Sequence, residues 1–400
     1  MKSKIGRLLT AVLLLGCQEK LTAPADCPAL CPGGQPQVFD EVFTATPGAD
    51  SSYVGYVLPH QAPGLLVSNG LQGFEERALI RFLARADSVS VRDTLRAYTI
   101  DSVALSFTVA ARDTNLDGLS LQLYRLSPGI DSATTYADVA PAFVPESLIT
   151  PLAVPDTLNS GVVRAVFQGV DLSAIQIAAA DSGRLALGIR IASPSPTGIR
   201  LGALAGGNGP LFTTYVTLDV PDTGTARLRT LALGAAFNTY VSEAPQVSDT
   251  TLLAVGGGSS ARTLLRFNLP ARILDSATIV RATLELTPVA PVTGLLTDPA
   301  RLLARAVLAD VGAKSPVSTV TIRIPEDTLE IGTSSVSLEA VRLVELWLGV
   351  SGRPPAVMLS LTPEASSFSR PVFYSTRAAD PALHPRLRLS YLLSFPFETP

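Results

Sequence analysis

Residues 103–109 read Val-Ala-Leu-Ser-Phe-Thr-Val, and this stretch decides the fold class. Four large apolar side chains, Val103, Leu105, Phe107 and Val109, alternate with small or hydroxyl-bearing ones. Successive side chains of a β-strand point to opposite faces, so a period of two predicts a strand with one buried face. The same period recurs along most of the chain after Phe39. Further runs are 119–123, 185–191, 280–286, 320–324, 357–361 and 387–391.

Glycine and proline separate these runs at short intervals, and no strand-helix alternation is present. This punctuation is typical of antiparallel sandwiches rather than of parallel, doubly wound sheets. One stretch departs from it, because residues 338–348 carry apolar side chains at helical spacing. We therefore expect a short amphipathic helix there, with Trp347 on its buried face, and a weaker counterpart near residues 170–180.

The two halves of the chain can be aligned with each other. Residues 78–82 (Ala-Leu-Ile-Arg-Phe) match residues 263–267 (Thr-Leu-Leu-Arg-Phe), and residues 103–107 match residues 282–286. This self-similarity predicts a divergent tandem duplication. The expected fold is all-β, with two tandem antiparallel β-sandwiches and a short helix in the second; that the sandwiches are jelly-roll-like is implied only by the family resemblance of residues 264–270 and 385–391. The expected divisions are domain 1 at 37–220, a linker at 221–229 and domain 2 at 230–395; the N-terminal resemblance to a lipobox implies in addition a signal peptide at 1–16 and a lipidated tether at 17–36.

Composition limits the function classes. With 47% hydrophobic and 16% charged residues, the chain can bury large cores and is not disordered. The formal charge is −3, and loss of Lys2, Lys4 and Arg7 with a leader makes it −6. A negative chain of this kind has no electrostatic attraction for nucleic acid, so none is expected as a partner.

The N-terminus carries a basic segment, a short apolar run and then Leu14-Leu15-Gly16-Cys17. The run is shorter than the roughly 20 residues needed to span a bilayer, as in a cleaved signal. The last four residues resemble the lipobox of bacterial lipoproteins. That resemblance implies a diacylglyceryl group on Cys17, anchoring in a membrane, and a location at the outer membrane or cell surface.

Cys27 and Cys31 are the remaining thiols. In an exported chain we expect them to form one disulfide. The alternative is a metal or redox pair, which is disfavoured because two cysteines without a nearby histidine cannot complete a tetrahedral zinc site.

Residues 264–270, Leu-Leu-Arg-Phe-Asn-Leu-Pro, begin a second resemblance. With the later tryptophan-bearing helix, residues 373–376 and the closing Pro-Arg-Leu-Arg-Leu-Ser-Tyr of 385–391, they resemble DNRLRE-type domains. These are jelly-roll sandwiches similar to carbohydrate-binding modules on bacterial surface proteins. The resemblance implies a non-catalytic module for polysaccharide or cell-envelope glycan. Tyr53, Tyr56 and Tyr240 lie near expected loop ends and are candidate contact residues, with packing or strand-edge roles as the alternative.

Asp113, Asn115 and Asp117 stand at alternate positions before Gly118. Three oxygen ligands at this spacing are typical of calcium loops, so a structural calcium ion is one interpretation. The other is an ordinary hairpin turn, since Asn, Asp and Gly are also what such turns need and the expected acid seven residues further on is replaced by Tyr124.

Catalysis has little support in the residues. His60 and His384 are isolated, and no Gly-x-Ser-x-Gly elbow is present. Acids such as Glu75, Glu76, Asp87 and Asp93 are expected in turns and on exposed strand faces. We therefore expect a lipid-anchored, non-enzymatic module that binds glycan, with a structural or adhesive protein contacting envelope proteins as the alternative.

Overall fold

The computed structural model describes residues 37–71, 74–91, 93–218, 227–243, 251–320, 324–348, 350 and 352–393. These residues form several antiparallel sheets and a few short helices, which confirms the all-β class. In chain order, the strands are β1 (Val38–Thr44), β2 (Ser51–Tyr53), β3 (Gly64–Leu71), β4 (Phe74–Phe82), β5 (Ser88–Val91), β6 (Thr94–Arg112), β7 (Ser120–Leu126), β8 (Leu148–Ala153), β9 (Gly161–Gln168), β10 (Ala186–Ala192), β11 (Thr197–Gly202), β12 (Leu211–Leu218), β13 (Arg227–Ser242), β14 (Leu252–Ala254), β15 (Arg262–Arg266), β16 (Ala277–Leu286), β17 (Ala300–Ala306), β18 (Glu326–Leu329), β19 (Val336–Glu339), β20 (Ala356–Thr362), β21 (Val372–Tyr374) and β22 (Arg386–Leu393).

The helices are short and lie between strands. They are α1 (Tyr136–Val139), α2 (Ala271–Ser276) and α3 (Val341–Trp347), with 3-10 turns at Pro59–Gln61, Ala140–Ala142, Pro145–Ser147, Gly169–Ile175, Ala179–Asp181, Leu204–Gly206, Gly312–Lys314 and Pro381–Leu383.

Most alternating runs of the sequence form strands. The runs near residues 103, 119, 185, 280, 357 and 387 lie in β6, β7, β10, β16, β20 and β22. The run at 320–324 differs, because Val320 and Ile324 lie outside the strands and residues 321–323 are not among the described ones.

The predicted helix is present but shorter than expected. Leu338 belongs to β19, where Val336 and Leu338 are both buried and pair with β16, so the helix begins only at Val341. Trp347 is 2% exposed and lies 6.3 Å from the ring of Phe267. Its predicted place in the core is confirmed.

Two hydrophobic cores organise the strands. We call β3 to β13 unit 1 and β1, β2 and β14 to β22 unit 2. In unit 2 the sheets run β1-β22-β16-β19, β18-β17-β20-β15-β2 and β14-β21. In unit 1 one continuous set of pairings contains two runs that match sheets of unit 2. The run β13-β12-β6-β9 corresponds to β1-β22-β16-β19, and the run β8-β7-β10-β4-β13 corresponds to β18-β17-β20-β15-β2.

Strand order in the two units agrees with the repeat seen in the sequence. The matched segments 78–82 and 263–267 lie in β4 and β15, which pair with β10 and β20 respectively. The segments 103–107 and 282–286 lie in β6 and β16, which pair with β12 and β22. Matched segments therefore have equivalent neighbours.

The strand pairings cross the expected domain boundaries at two places. Residues 38–53, expected in domain 1, pair with β22 and β15 of unit 2. Strand β13, expected to span the linker and the start of domain 2, pairs with β12 and β4 of unit 1. The first strand segment of each repeat thus completes the other unit. The expected leader and tether, 1–16 and 17–36, lie outside the described residues, as does most of the 221–229 linker.

Candidate functional site

The three cysteines, Cys17, Cys27 and Cys31, lie outside the described residues, so lipidation and the disulfide remain predictions. In the part of the chain that the structure covers, no helix has the length and hydrophobicity to cross a membrane. The described chain starts at β1, and Val38 stands opposite Leu392 of β22. A tether attached before Val38 would therefore emerge from unit 2 next to the C-terminal end of β22.

The Asp113–Gly118 segment forms the connection between β6 and β7. Asp113 accepts a hydrogen bond from the backbone N–H of Asn115 at 3.0 Å, and Gly118 has a φ of +71°. These are the features of a tight Asx turn. The side chains of Asn115 and Asp117 are exposed. Among the described residues, no three His, Cys, Asp or Glu side chains lie close enough to hold a metal ion together.

A buried arginine that the sequence analysis missed holds this connection in place. Arg112 is fully buried, and its guanidinium donates to the carbonyl oxygens of Asp113, Leu116 and Pro155. Burial of an arginine is tolerable only when its donors are hydrogen-bonded. The loop is therefore held by the Arg112 guanidinium, which supplies hydrogen bonds to carbonyl oxygens on both sides of the connection.

The three candidate tyrosines take part in internal packing. Tyr240 is buried and donates to the carbonyl oxygens of Gly258 and Ala365. Tyr56 donates to the carbonyl of Ala313, and the Arg262 guanidinium lies 4.2 Å from its ring. Tyr53 packs half-buried against the small apolar cluster around β15 and β20. Tyr240 is therefore closed to a sugar, whereas Tyr53 and Tyr56 are half-buried and stay candidates.

The acids expected on exposed surfaces divide into two environments. Glu75 and Glu76 are successive residues of β4 and so point to opposite faces. Glu75 forms ion pairs with Arg77 and Arg190 at 2.9 and 3.0 Å. Glu76 is buried and contacts the hydroxyl of Ser68, which corrects the expectation of solvent exposure. Burial raises the pKa of Glu76 to about 7, while the Ser68 hydrogen bond acts in the opposite direction.

The histidines do not form a catalytic arrangement in the described part of the chain. His60 lies against the ring of Phe237 at 6.1 Å, and His384 contacts the backbone carbonyl of Ala378 through Nε2 at 2.9 Å. Neither imidazole hydrogen-bonds a serine or a carboxylate there, and both have structural partners.

The outer sheet faces are rich in hydroxyl groups and charges. On the β1-β22-β16-β19 face, Arg388 forms an ion pair with Glu285 at 3.1 Å, and Ser390 contacts Asp40. On the equivalent face of unit 1, Arg164 donates to the hydroxyl of Tyr215 at 2.6 Å. Every aromatic side chain that the structure describes is buried or half-buried. Half-buried Tyr215 is the aromatic residue of this face.

An open groove of about 440 Å³ lies beside β8. Its lining includes Arg125, Glu146 and Asp181, but no aromatic ring on which a sugar could stack. The groove is therefore polar and carries both signs of charge.

Buried contacts join the two units. Arg200 of unit 1 pairs with Asp298 of unit 2 at 2.7 Å, and burial raises the pKa of the Asp298 carboxyl while Arg200 opposes that shift. Leu295 and Phe368 of unit 2 belong to the core of unit 1. Together with the exchanged strands, these contacts couple the units mechanically.

Comparison with known proteins adds no assignment. No protein-family model matches the chain. No curated protein matches it at a significant level.

Proposed function

We propose that this chain is a lipid-anchored, extracytoplasmic structural protein in which two jelly-roll-like β-sandwiches form one rigid spacer at the outer membrane or cell surface. The observation that carries the proposal is the exchange of first strands, because each unit is completed by a strand of the other repeat. Two units joined by a bare linker would move independently. Two units that each supply part of the other's sheet cannot separate without breaking strand pairs.

The polar residues described above support a role without catalysis. Arg112, Glu75 and the candidate tyrosines all have internal partners. Surfaces that carry hydroxyl groups and paired charges suit contact with envelope proteins or solvent more than sugar stacking.

Replacement of Cys17 tests the anchor. Cys17→Ser removes the thiol to which the lipid would be joined, so palmitate labelling and membrane retention are expected to disappear. The matched control is Cys27→Ser, which should keep both. Fractionation with radiolabelled palmitate is the measurement, and a labelled, membrane-bound Cys17→Ser chain would contradict the anchor.

A second function, glycan binding, is favoured by one observation. Tyr215 lies on an open sheet face with Thr213 and Thr217 at alternate positions of β12, and the Arg164 guanidinium lies 5.6 Å from its ring. An aromatic ring beside hydrogen-bonding side chains can hold a sugar. The ring is only half-exposed and the face carries no second aromatic among its described side chains, so this function ranks second.

A polysaccharide panel separates the two functions. If the chain is a spacer, the detergent-solubilised full-length protein should show no retention on any immobilised glycan. Retention that Tyr215→Ala abolishes and Tyr124→Phe leaves intact would overturn the spacer proposal in favour of glycan binding. Tyr124 serves as the control because it is buried on the other side of unit 1, against Phe143.

A further inference from the structure

The exchanged segments occupy equivalent places in the two units. The first half of β13 pairs with β12 and the second half with β4. In unit 2 the same two places are filled by β1 against β22 and by β2 against β15. Each unit therefore has a slot for one strand segment, and that segment comes from the neighbouring repeat.

A pair of buried polar residues supports this equivalence. Asp50 directly precedes the residues of β2 that pair with β15, and Asn238 stands opposite Ile80 within the part of β13 that pairs with β4. The two residues are 0% and 1% exposed. Asp50 accepts from the backbone N–H of Thr376 at 2.7 Å, and Asn238 accepts from the backbone N–H of Leu204 at 2.7 Å. Thr376 follows β21, and Leu204 follows the equivalent strand β11. The two segments are thus held by the same kind of buried hydrogen bond.

The β1–β2 segment makes several side-chain contacts with unit 2. Phe39 stacks on Tyr391 with ring centroids 5.5 Å apart, and Glu41 pairs with Arg272 at 2.8 Å. Ser52 accepts from the backbone N–H of Ala254 at 2.8 Å. The segment is joined to unit 1 through residues 54–63, which include Pro59 and Pro63. The first part of this connection also belongs to unit 2, because Gly55 and Val57 donate to Ser259 and Ser260.

We propose that the slot between β22 and β15 also accepts the β1–β2 segment of a second copy of this chain, which produces a reciprocal strand-exchanged dimer. The contacts made by the segment are the same whether it comes from its own chain or from another. The balance between the two forms therefore depends on the 54–63 connection and on protein concentration, which is the physical basis of domain swapping. The exchange requires only the segment and its slot and does not depend on the anchor or on the spacer role.

Single cysteines on two different copies test the exchange. Val42 of β1 stands opposite Arg388 of β22, and both side chains are exposed. Directly opposed residues have Cβ atoms about 4.5 to 5.5 Å apart, close to the reach of a disulfide. One full-length copy would carry Val42→Cys and a differently tagged copy Arg388→Cys. Both would carry Cys27→Ser and Cys31→Ser.

A mixed disulfide between these copies can form efficiently only if the strand of one lies in the slot of the other. The matched control replaces Arg388→Cys by Thr283→Cys, because Thr283 lies one strand further from β1, about 10 Å from Val42. We expect at least about tenfold more mixed disulfide from the facing pair after co-expression and mild oxidation. Equal yields from the two pairs would overturn the proposal.

A third sample makes a negative result decisive. One copy carrying both Val42→Cys and Arg388→Cys should form an internal disulfide whenever the segment occupies its own slot. If this internal bond forms and the mixed bond stays at the control level, the segment does not exchange between copies. If the mixed bond exceeds the control, its yield should rise with protein concentration.

Discussion

Deletion of residues 38–53 is expected to unfold unit 2 and to destabilise unit 1 less, because unit 1 keeps all its strands and loses only the contacts it makes with unit 2, such as those of Leu295 and Phe368. The deletion removes Phe39 and Phe43, which pack against the core of unit 2, and Ala45, which is fully buried. It also leaves β22 and β15 without a partner on one edge. Loss of this burial and pairing should cost about 5 kcal/mol or more, which is comparable to the whole stability of a domain.

The fluorescence of the single tryptophan reports directly on the effect of deleting residues 38–53. Trp347 lies in the core of unit 2, so its fluorescence reports on that unit alone. A red-shifted emission and rapid hydrogen exchange in β20 are expected for the deletion variant, with continued protection of β10 in unit 1. An unshifted emission and an unchanged unfolding transition would show that the segment is not part of the fold of unit 2.

A pair of substitutions in β1 provides a milder test with a matched control. Phe43 points into the core of unit 2, whereas neighbouring Val42 points outward and is 46% exposed. Phe43→Ala should lower the free energy of unfolding by about 2 to 3 kcal/mol, because a partly buried aromatic ring is lost. Val42→Ala should change it by less than about 0.5 kcal/mol. Equal effects would contradict the assignment of Phe43 to the buried face and of Val42 to the exposed face of β1.

Glu76→Gln is expected to stabilise the protein at alkaline pH and to leave it nearly unchanged at acidic pH. Burial raises the pKa of Glu76 from 4.5 to about 7, so the folded state binds a proton more readily than the unfolded state. The contribution of Glu76 to stability is therefore fully present below pH 4.5 and is lost as the pH rises to about 7. A glutamine mimics the neutral form at every pH. At pH 8 the variant should be more stable by about 3 kcal/mol.

The neighbours of Glu76 explain why the charged form is costly. Its carboxylate contacts the Ser68 hydroxyl and lies near Tyr240, whose own pKa is raised by burial and by the charge of Glu76. No cation contributes to the pKa shift of Glu76. Chemical denaturation of both proteins between pH 4 and 9 is the measurement, with exposed Glu146→Gln as the control. A difference between Glu76→Gln and the parent chain that does not vary with pH would contradict a titrating Glu76.

The exchanged strands also decide where a tether would attach. Since Val38 stands opposite Leu392, both ends of the described chain lie at the same sheet of unit 2. A lipid anchor before β1 would hold unit 2 near the membrane and leave unit 1 at the other side of the junction. Pulling on the tether would load β1 directly, and the β1–β22 pairing would resist that load.

Part of the candidate chemistry could be predicted from the sequence and part could not. The place of Trp347 followed from helical spacing, and the turn at Asp113–Gly118 followed from its residue types. Arg112 and Glu76 could not be assigned in the same way. Charged residues are normally exposed, and what makes their burial tolerable is a set of partners that only the fold brings together. Pro155 of another loop accepts from Arg112, and Ser68 of the neighbouring strand contacts Glu76.

The sequence by itself determined most of the alternating strands, their buried faces and the repeat. These are local properties: a strand's two faces are set by alternation within a few residues, as in Val103–Val109, and the repeat is set by the similarity of two such segments. Only the tertiary structure decided which strand pairs with which, and so placed β1 and β2 in unit 2 and β13 in unit 1. The reason is physical, because backbone hydrogen bonds between strands are nearly the same for any sequence. Alternation alone therefore does not specify which unit receives which first strand. Contacts between residues far apart in the chain, such as Phe39 with Tyr391, are made only in the folded protein.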